Sequence, residues 1–480
     1  MRKITQSTNK IKVYTIIGIG LIIFFSIAYI LLVLNRYWQL QYFFTDNVYF
    51  QKALWKVANF QAPIVEHRLL GRINILGDHF HPTIFFVSLF LALTGKNEMT
   101  QLAMVIPLFV GMILAYKVAS LLIRNKIITI AIIFASFMYL GTQHAMIFGF
   151  HELHLVPLFF WMIIYGFFYR KKWIYISGLI LLILTKENMA AVLFCWGLFL
   201  LMTQRQKKRQ ALIIIILSIV YFFTVTKLIM PFFSINNLYI QASILPHNLS
   251  EYLKLLTSPH EKMTTIFISM LSFGLLPLLN IASLPLVIQD FFIRYVFNIQ
   301  GNNQYSIVFH YGIASVSYLV FASIWTIHIF EKKKAPKIII NIFAILIFCT
   351  SIFFHLFYLG RGPLQQVFII PDFYKITKDN AFIWELINHT PKNGIIITMN
   401  HLGFPLSDRN VFQFPRDYNN LNSIKPDYIV YDKRQEQSSA NIIPFTDFEE
   451  FITFINKLER DKRYSTYFKK GSLVILQRIK

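Results

Sequence analysis

The sequence predicts an all-α polytopic membrane protein that carries a small α/β domain at its C-terminal end. Three observations lead to this prediction. First, 56% of the 480 residues are hydrophobic, 14% are charged and the mean hydropathy is +0.53, whereas soluble domains carry about 25% charged residues. Second, long apolar runs recur from residue 13 to residue 359. Third, the composition from Arg361 onward becomes that of a soluble domain.

The apolar runs predict about 11 membrane segments. The first, at 13–35, follows a basic start and is too long for the core of a cleaved signal peptide, so we expect a retained anchor. The segment 263–292 contains Gly274, Pro277 and Pro285, and we expect a hairpin of two short passes there. The other runs lie at 99–123, 127–148, 153–169, 173–185, 189–203, 211–231, 307–330 and 337–359.

The positive-inside rule orients these segments. If 82–94 lies in the membrane interface or re-enters it, four basic clusters fall on the cytoplasmic side with the N-terminus, at 124–126, 170–172, 205–209 and 332–337. This count also requires 173–203 to be two passes broken at 185–188, the alternative being one long tilted helix. The sequence therefore predicts a membrane domain over 1–360 with a first outer loop at 37–98, and an extracytoplasmic domain over 361–480.

The charge distribution and the cysteine content argue against a nucleic-acid-binding protein and a disulfide-rich protein. The net charge of +23 comes mostly from clusters beside apolar segments, so it indicates membrane topology and no nucleic-acid partner. Cys195 and Cys349 both lie in apolar segments and cannot form a disulfide framework. In the C-terminal part, strand-like runs at 394–399, 427–431 and 471–478 alternate with helical patterns at 379–389 and 446–462, which predicts an α/β domain.

The polar outer loop contains the candidate catalytic acid. Asp46 stands immediately before a helical pattern with Phe50, Leu54 and Val57 as apolar members. A carboxylate there can act as a general base on an acceptor hydroxyl. It can equally cap the helix N-terminus, where Asp is favoured, and the two roles are compatible.

The loop exit carries Asp78, His79 and His81. Imidazoles and a carboxylate suit a divalent metal ion, with His79 and His81 on one face if the chain is extended. The alternative is an interfacial turn whose histidines bind backbone or lipid headgroups. The sequence thus leaves a divalent metal ion open as a cofactor.

Two further polar groups interrupt apolar runs. His151 and His154 are neighbours on a helix face, with Glu152 between them, although the spacing differs from the zinc motif, which needs His residues four apart. Polar residues at a helix end are the alternative. Lys186 and Glu187 separate two apolar runs, where the lysine can bind a lipid-linked phosphate or the pair can neutralise itself.

An ordered series of motifs carries a family resemblance. It comprises Asp46-x4-Gln51-x3-Trp55, Gly77-Asp78-His79-Phe80-His81-Pro82, His151-Glu152-x-His154, Lys186-Glu187, Asn303-x-Tyr305 with His310-Tyr311, and Ser407-x-Arg409-x2-Phe412-x-Phe414-Pro415 followed by Asp427-Tyr428. The series resembles a family of predicted membrane proteins, a domain of unknown function that is grouped with the GT-C glycosyltransferase superfamily. The resemblance covers roughly residues 40–480.

The resemblance implies a GT-C-like fold and sugar transfer, usually inverting, from a polyprenyl-phosphate carrier on the outer face. Asp46 matches the acid of the first outer loop, and the stretch Ile180–Glu187 is similar to a Leu-x-Lys stretch of the superfamily whose lysine lies near the donor phosphate. Asn47 stands where such loops often carry a second acid, so metal dependence stays open. Substrate is expected at Gln51, Trp55, His151, Glu152, His154, Lys186, Glu187 and Arg409.

We therefore expect a cell-membrane glycosyltransferase of the cell envelope, with a polyprenyl-phosphate sugar lipid and membrane lipids as partners. One alternative is a transporter or flippase of a polyprenyl-linked lipid, which would use the same charged cavity without chemistry. Another is a non-catalytic membrane receptor or scaffold whose outer domain binds a partner. The sequence does not name the sugar, the acceptor or a protein partner.

Overall fold

The structure is a computed structural model that describes residues 2–44, 46–67, 71–235, 248–296, 303–369, 371–435 and 438–479. The backbone of Asp46 belongs to this described part, whereas its side chain lies outside it. The chain is mostly helical, at 68%. A small sheet forms near the C-terminal end, which confirms the predicted combination of an α-helical membrane protein with a C-terminal α/β part.

Twenty-one α-helices and seven strands are described. The helices are α1 Arg2–Trp38, α2 Asp46–Ala58, α3 Ile75–Asp78, α4 Phe85–Thr94, α5 Glu98–Leu122, α6 Lys126–Met138, α7 Leu140–Phe148, α8 Val156–Phe168, α9 Lys172–Ile183, α10 Met189–Thr203, α11 Lys208–Thr224, α12 Met230–Phe233, α13 Leu249–Thr257, α14 Glu261–Ser272, α15 Leu284–Val296, α16 Gly312–Lys332, α17 Lys337–Leu356, α18 Pro363–Ile369, α19 Lys378–His389, α20 Leu421–Ile424 and α21 Phe448–Glu459. The strands are β1 Ile64–His67, β2 Gly71–Asn74, β3 Ile395–Thr398, β4 Asn410–Gln413, β5 Tyr428–Asp432, β6 Tyr464–Lys470 and β7 Leu473–Arg478.

Six helical segments among the described residues are long and apolar enough to cross a membrane. They are Val13–Trp38, Glu98–Leu122, Lys126–Phe148, Arg205–Phe233, Gly312–Lys332 and Lys337–Leu356. Four shorter apolar helices, of 10–17 residues, occupy segments that the sequence predicts as membrane passes or, for 82–94, as an interfacial or re-entrant helix, namely Pro82–Thr94, Glu152–Phe168, Lys172–Ile183 and Met189–Thr203. The chain is thus a membrane protein with several candidate spans.

The chain forms two compact units. The first, called the helical unit, comprises Met1–Val33, Ile73–Ile84 and Gln101–Phe373. Within it α8 packs against α9, α10 against α11 and α6 against α17. Helices α7 and α16 approach so closely that a Cβ atom on Gly312 would lie 2.4 Å from the Cα atom of Gly141, so a glycine is needed at this crossing.

The helical unit is interrupted where the sequence predicts breaks. Helix α9 ends at Ile183 and α10 begins at Met189, so the chain leaves helical geometry around Lys186 and Glu187. Between α14 and α15, Leu275 adopts a left-handed conformation with φ 61°. Both predicted interruptions are therefore confirmed, while the number of passes stays a prediction.

The second unit, called the sheet unit, comprises Leu34–Arg72, Phe85–Thr100 and Tyr374–Lys480. Its five-stranded sheet has the order β4-β3-β5-β7-β6, with β4, β3 and β5 parallel and with β5, β7 and β6 antiparallel. Strands β3, β5 and β7 match the three predicted strand-like runs. Helices α19 and α21 match the two predicted helical stretches.

Residues of the first loop complete the core of the sheet unit. Tyr37, Tyr42 and Phe44 are buried in the same apolar cluster as the β3 and β5 side chains. The backbone amide of Phe44 donates to Asn400 Oδ1 at 2.8 Å, just beyond the carboxyl end of β3. The loop that leads into α2 is therefore part of this fold.

Helix α4 of the sheet unit buries one face and exposes another. Val87, Ser88 and Leu91 are buried, and α4 packs on α2. Its large apolar side chains on the opposite face are exposed, at the helical spacing of i, i+3, i+4 and i+7: Phe86, Leu89, Phe90 and Leu93. An exposed apolar stripe on a ten-residue helix is typical of a membrane-interface helix.

Candidate functional site

The break between α9 and α10 buries an ion pair in the helical unit. Lys186 Nζ donates to Glu152 Oε1 at 2.7 Å, with the two side chains 9% and 1% exposed. Glu152 begins the 3-10 turn that leads into α8. Burying two charges is unfavourable unless each stabilises the other, and removing one partner leaves an uncompensated charge. In the described part, Glu152 Oε2 has no hydrogen-bond partner, so the pair retains acceptor capacity.

Glu187, the residue after Lys186, binds a different segment of the helical unit. Its Oε1 atom accepts from His79 Nδ1 at 2.9 Å, and its Oε2 atom accepts the backbone N–H of Phe80 at 3.1 Å. Burial would raise the pKa of Glu187, but His79 and Lys186 outweigh it and hold that pKa low, at about 2. The predicted Lys186–Glu187 dyad therefore has a different partner for each member.

His79 is linked to the same set of charges. Burial and the Lys186 ammonium act to lower the pKa of His79, but Glu187 and Asp78 outweigh them and the pKa is raised. For His81, by contrast, burial dominates and lowers the pKa to about 4, so this imidazole is neutral at pH 7. The two rings lie 6.4 Å apart between centroids.

The sequence predicts Asp78, His79 and His81 as metal ligands, but these three side chains form no ligand set in the described part of the chain. No group of three or more His, Cys, Asp or Glu side chains there is arranged to hold an ion. The Nδ1 atom of His79 is engaged by Glu187, as carboxylates commonly engage metal-ligating histidines, so this contact does not argue against a ligand role for Nε2. The metal ion stays a prediction, and no chemical step is derived through one.

His151 and His154 come together, but with different surroundings. His154 Nδ1 lies 3.0 Å from His151 O, and His154 Nε2 lies 3.2 Å from Ala145 O, so backbone groups surround this ring. His151 stacks on His310, with centroids 3.6 Å apart and an interplanar angle of 11°. His154 thus stabilises the turn, whereas His151 and His310 extend the polar cluster beyond Glu152.

In the sheet unit, Asp46 is the first residue of α2. This position agrees with the prediction that the acid opens the helix. Because its side chain lies outside the described part, neither the capping role nor the catalytic role is tested.

Gln51 and Trp55 share one acceptor. Gln51 Nε2 and Trp55 Nε1 both donate to Asn97 Oδ1, at 2.9 Å and 2.6 Å. Asn97 Nδ2 in turn donates to Pro405 O at 3.2 Å. The two residues predicted to contact substrate therefore also anchor α2 through Asn97.

Lys52 and Arg409 add further anchors. Lys52 Nζ donates to Val411 O at 2.8 Å, and burial, together with Lys56, lowers the pKa of Lys52 to about 8. Arg409 Nη1 donates to Ile387 O at 3.0 Å, at the C-terminal end of α19. The guanidinium of Arg409 thus caps a helix C-terminus, which is a favourable place for a cation.

The chain matches the family described as Predicted membrane protein (DUF2079) over residues 36–452. This range covers most of the 480 residues and includes every candidate site residue. The chain belongs to this family. No curated protein sequence matches it. Membership in the family agrees with the candidate spans and specifies no activity, so the chemistry must be argued from the residues themselves.

For this member of the family, the structure groups the predicted site residues in two sets. The helical unit contains Asp78, His79, His81, His151, Glu152, His154, Lys186 and Glu187. The sheet unit contains Asp46, Gln51, Trp55 and Arg409. Sequence reasoning did not single out Asn97, or the ion pair between Asp290 and Arg294, at 3.1 Å, although the i, i+4 spacing of opposite charges was a usable signal.

Proposed function

We propose that this protein is a GT-C-like membrane glycosyltransferase. It transfers a sugar from a polyprenyl-phosphate-linked donor to an acceptor on the extracytoplasmic face. The observation that supports this most is the buried Lys186 at a helix break of a membrane protein, beside two carboxylates and several imidazoles. Ionisable groups are rare in such surroundings and mark working sites.

The proposed reaction inverts the configuration at the anomeric carbon of the sugar. Asp46 accepts the proton of the acceptor hydroxyl, whose oxygen forms the new bond to the anomeric carbon. The bond from that carbon to the phosphate oxygen breaks, and its electron pair stays on the phosphate. Lys186 stabilises the charge that develops on this leaving group, as a compact cation does for phosphate.

The remaining residues take supporting roles in the proposal. His79 or His81 assists Lys186 at the phosphate, and Glu152 keeps the ammonium in place. The sheet unit binds the acceptor and holds α2, the helix that begins at Asp46. The membrane arrangement that goes with this function has about 11 segments, a cytoplasmic N-terminus and an extracytoplasmic C-terminal domain.

The test is an incubation of the purified protein with a pool of polyprenyl-phosphate sugars and envelope acceptors. A glycosyltransferase releases free polyprenyl phosphate, which mass spectrometry of the extracted lipids detects. A flippase moves a fluorescent polyprenyl lipid across proteoliposome membranes and leaves the pool intact. A receptor or scaffold does neither, and either of these last two results would contradict the proposal.

A further inference from the structure

Arg294 is a buried cation in the last turn of α15, and it plays no part in the reaction proposed above. Arg294 is 4% exposed and belongs to the helical unit. Its Nη2 atom lies 3.1 Å from Asp290 Oδ2, but none of its three guanidinium nitrogens makes a hydrogen bond within the described residues. A guanidinium carries five N–H donors, and buried donors are nearly always satisfied.

The groups around Arg294 do not supply the missing acceptors. Asp290 Oδ2 accepts from Ser315 Oγ at 2.6 Å, so the one carboxylate next to the guanidinium is shared with a hydroxyl. The Phe291 ring lies 5.1 Å from the guanidinium carbon and provides only a cation–π contact. What is missing is an acceptor-rich group of negative charge.

Elsewhere in the chain, another arginine has two carboxylate neighbours. Arg434 Nε lies 2.7 Å from Asp432 Oδ2, and its Nη1 atom lies 3.1 Å from Asp379 Oδ2. That guanidinium is also 32% exposed, so water reaches it. Arg294 has one carboxylate neighbour and a side chain that is 5% exposed, which makes it the better candidate for an external ligand.

A series of contacts connects Arg294 to the Lys186 cluster. Asp290, the carboxylate beside Arg294, accepts from Ser315, which lies one helical turn after Tyr311, the residue that precedes α16. The neighbouring His310 lies 4.1 Å from the Tyr311 ring and stacks on His151, whose neighbour Glu152 binds Lys186. The two buried cations therefore belong to one polar cluster of the helical unit.

We propose that Arg294 binds a phosphate oxyanion, the second phosphate of a diphosphate-linked lipid whose first phosphate lies at Lys186. The inference rests on the proposed function and narrows its donor from a lipid phosphate to a lipid diphosphate. With this donor, the bond from the anomeric carbon to the nearer phosphate oxygen breaks, its electron pair stays on the diphosphate, and the lipid product is free polyprenyl diphosphate. A planar guanidinium can donate two parallel hydrogen bonds to phosphate oxygens, whereas an ammonium acts as a point charge. Two cations of different geometry suit two phosphates in series.

The experiment measures binding of farnesyl phosphate, farnesyl diphosphate and inorganic pyrophosphate to the purified full-length protein in detergent. We expect the wild-type protein to bind farnesyl diphosphate about tenfold more tightly than farnesyl phosphate. Arg294→Met should reduce this preference to about twofold or less and leave the farnesyl phosphate affinity unchanged. Lys186→Met should weaken binding of both lipids.

Arg463→Met is the matched control, because it removes an exposed guanidinium from the sheet unit by the same substitution. Arg294→Lys keeps the charge but loses the planar fork, so it should retain only part of the preference even if Arg294→Met fails to fold. Equal wild-type affinities for the two lipids, or an unchanged preference in both Arg294 variants, would overturn the inference. Pyrophosphate binding as tightly as farnesyl diphosphate would overturn the assignment to a lipid.

The outcomes separate this inference from the proposed function. A protein that releases polyprenyl phosphate from a monophosphate donor, with no preference for diphosphate lipids, keeps the function and refutes the Arg294 site. A protein that prefers the diphosphate lipid through Arg294 but transfers no sugar keeps the site and refutes the enzyme. Binding of neither lipid refutes the site directly.

Discussion

The helical unit and the sheet unit use their polar residues differently. In the helical unit, Lys186, Glu152 and Glu187 pair with one another or with His79, and buried atoms such as Glu152 Oε2 retain unused capacity. In the sheet unit, Gln51 and Trp55 donate to a neighbouring Asn97, which is fixed in turn by a backbone carbonyl. The helical unit thus buries charged groups with unused hydrogen-bonding capacity. In the sheet unit, buried atoms such as Gln51 Oε1 and Arg409 Nε also lack partners within the described residues, but the hydrogen bonds around Asn97 hold α2.

The difference teaches that a polar residue in an apolar chain has two explanations that geometry can separate. A side chain whose donors and acceptors are satisfied inside the protein contributes to positioning. A buried side chain with unsatisfied groups points to a missing partner. Trp55, whose indole N–H donates to Asn97, belongs to the first kind, and Arg294 belongs to the second.

The largest stability effect is expected from Lys186→Met. The variant leaves the carboxylate of Glu152 buried without its cation, which should lower the free energy of unfolding by about 3–5 kcal/mol. Combining it with Glu152→Gln removes the orphaned charge and should restore much of the loss. Denaturant unfolding in detergent, followed by circular dichroism, measures both variants.

Lys433→Met is the control for this comparison. Lys433 pairs with Glu459 at 2.8 Å, but the side chains are 26% and 32% exposed, so the loss should be about 0–1 kcal/mol. If Lys186→Met cost no more than Lys433→Met, the ion pair at the helix break would not be the buried, coupled pair described here.

A smaller effect is expected from Asn97→Ala in the sheet unit. The buried donor on Gln51 and the half-buried donor on Trp55 lose their acceptor, which should cost about 2–4 kcal/mol of unfolding free energy. Asn97→Asp keeps an acceptor at the same position and should cost less. The exposed Asn59→Ala, which loses one bond to the Trp55 carbonyl, should stay within about 0.5 kcal/mol. Equal losses for the two alanine variants would mean that Asn97 does not anchor α2.

The smallest effect concerns the pH dependence of the His79–Glu187 pair. The pKa of His79 is raised, so its contribution to stability is fully present below about 6.5 and is lost as the pH rises through the folded-state pKa. The pKa of Glu187 is lowered to about 2, so its contribution is present above about 4.5 and is lost as the pH falls towards 2. The pair should therefore contribute most between about pH 4.5 and 6.5.

His79→Gln tests this window. Since His79 is 37% exposed, solvent screens the pair and the loss of stability should be about 1 kcal/mol or less. Thermal unfolding of wild type and variant between pH 5 and pH 9 should show the largest difference near pH 5–6 and a smaller one at high pH. A difference that does not change with pH would show that the His79 ring stays neutral throughout.

Sequence patterns were sufficient to predict features that depend on residues close together in the sequence. The interruption at Lys186 and Glu187 follows from a charged pair between two apolar runs, and β3, β5 and β7 follow from short runs rich in β-branched residues. The C-terminal sheet and the several membrane helices were predictable for the same reason.

Pairings between distant residues were not predictable in this way. Asn97 meets Pro405 across 308 residues, and His151 meets His310, so no local periodicity encodes either contact. Strands β4 and β6 were missed because their sequences carry polar residues at positions where central strands are apolar. Local patterns therefore indicated candidate site residues, while their partners required the tertiary structure.

The most direct test of the central claim compares the wild-type protein with Asp46→Asn in the release of the free lipid carrier, polyprenyl phosphate or polyprenyl diphosphate, from the sugar-linked donor. The substitution keeps the size of the side chain and removes its capacity as a base, so the account predicts that transfer is abolished while the protein still folds and inserts. Full transfer by the Asp46→Asn protein would contradict it, because the acid that opens α2 would then have no part in the chemistry.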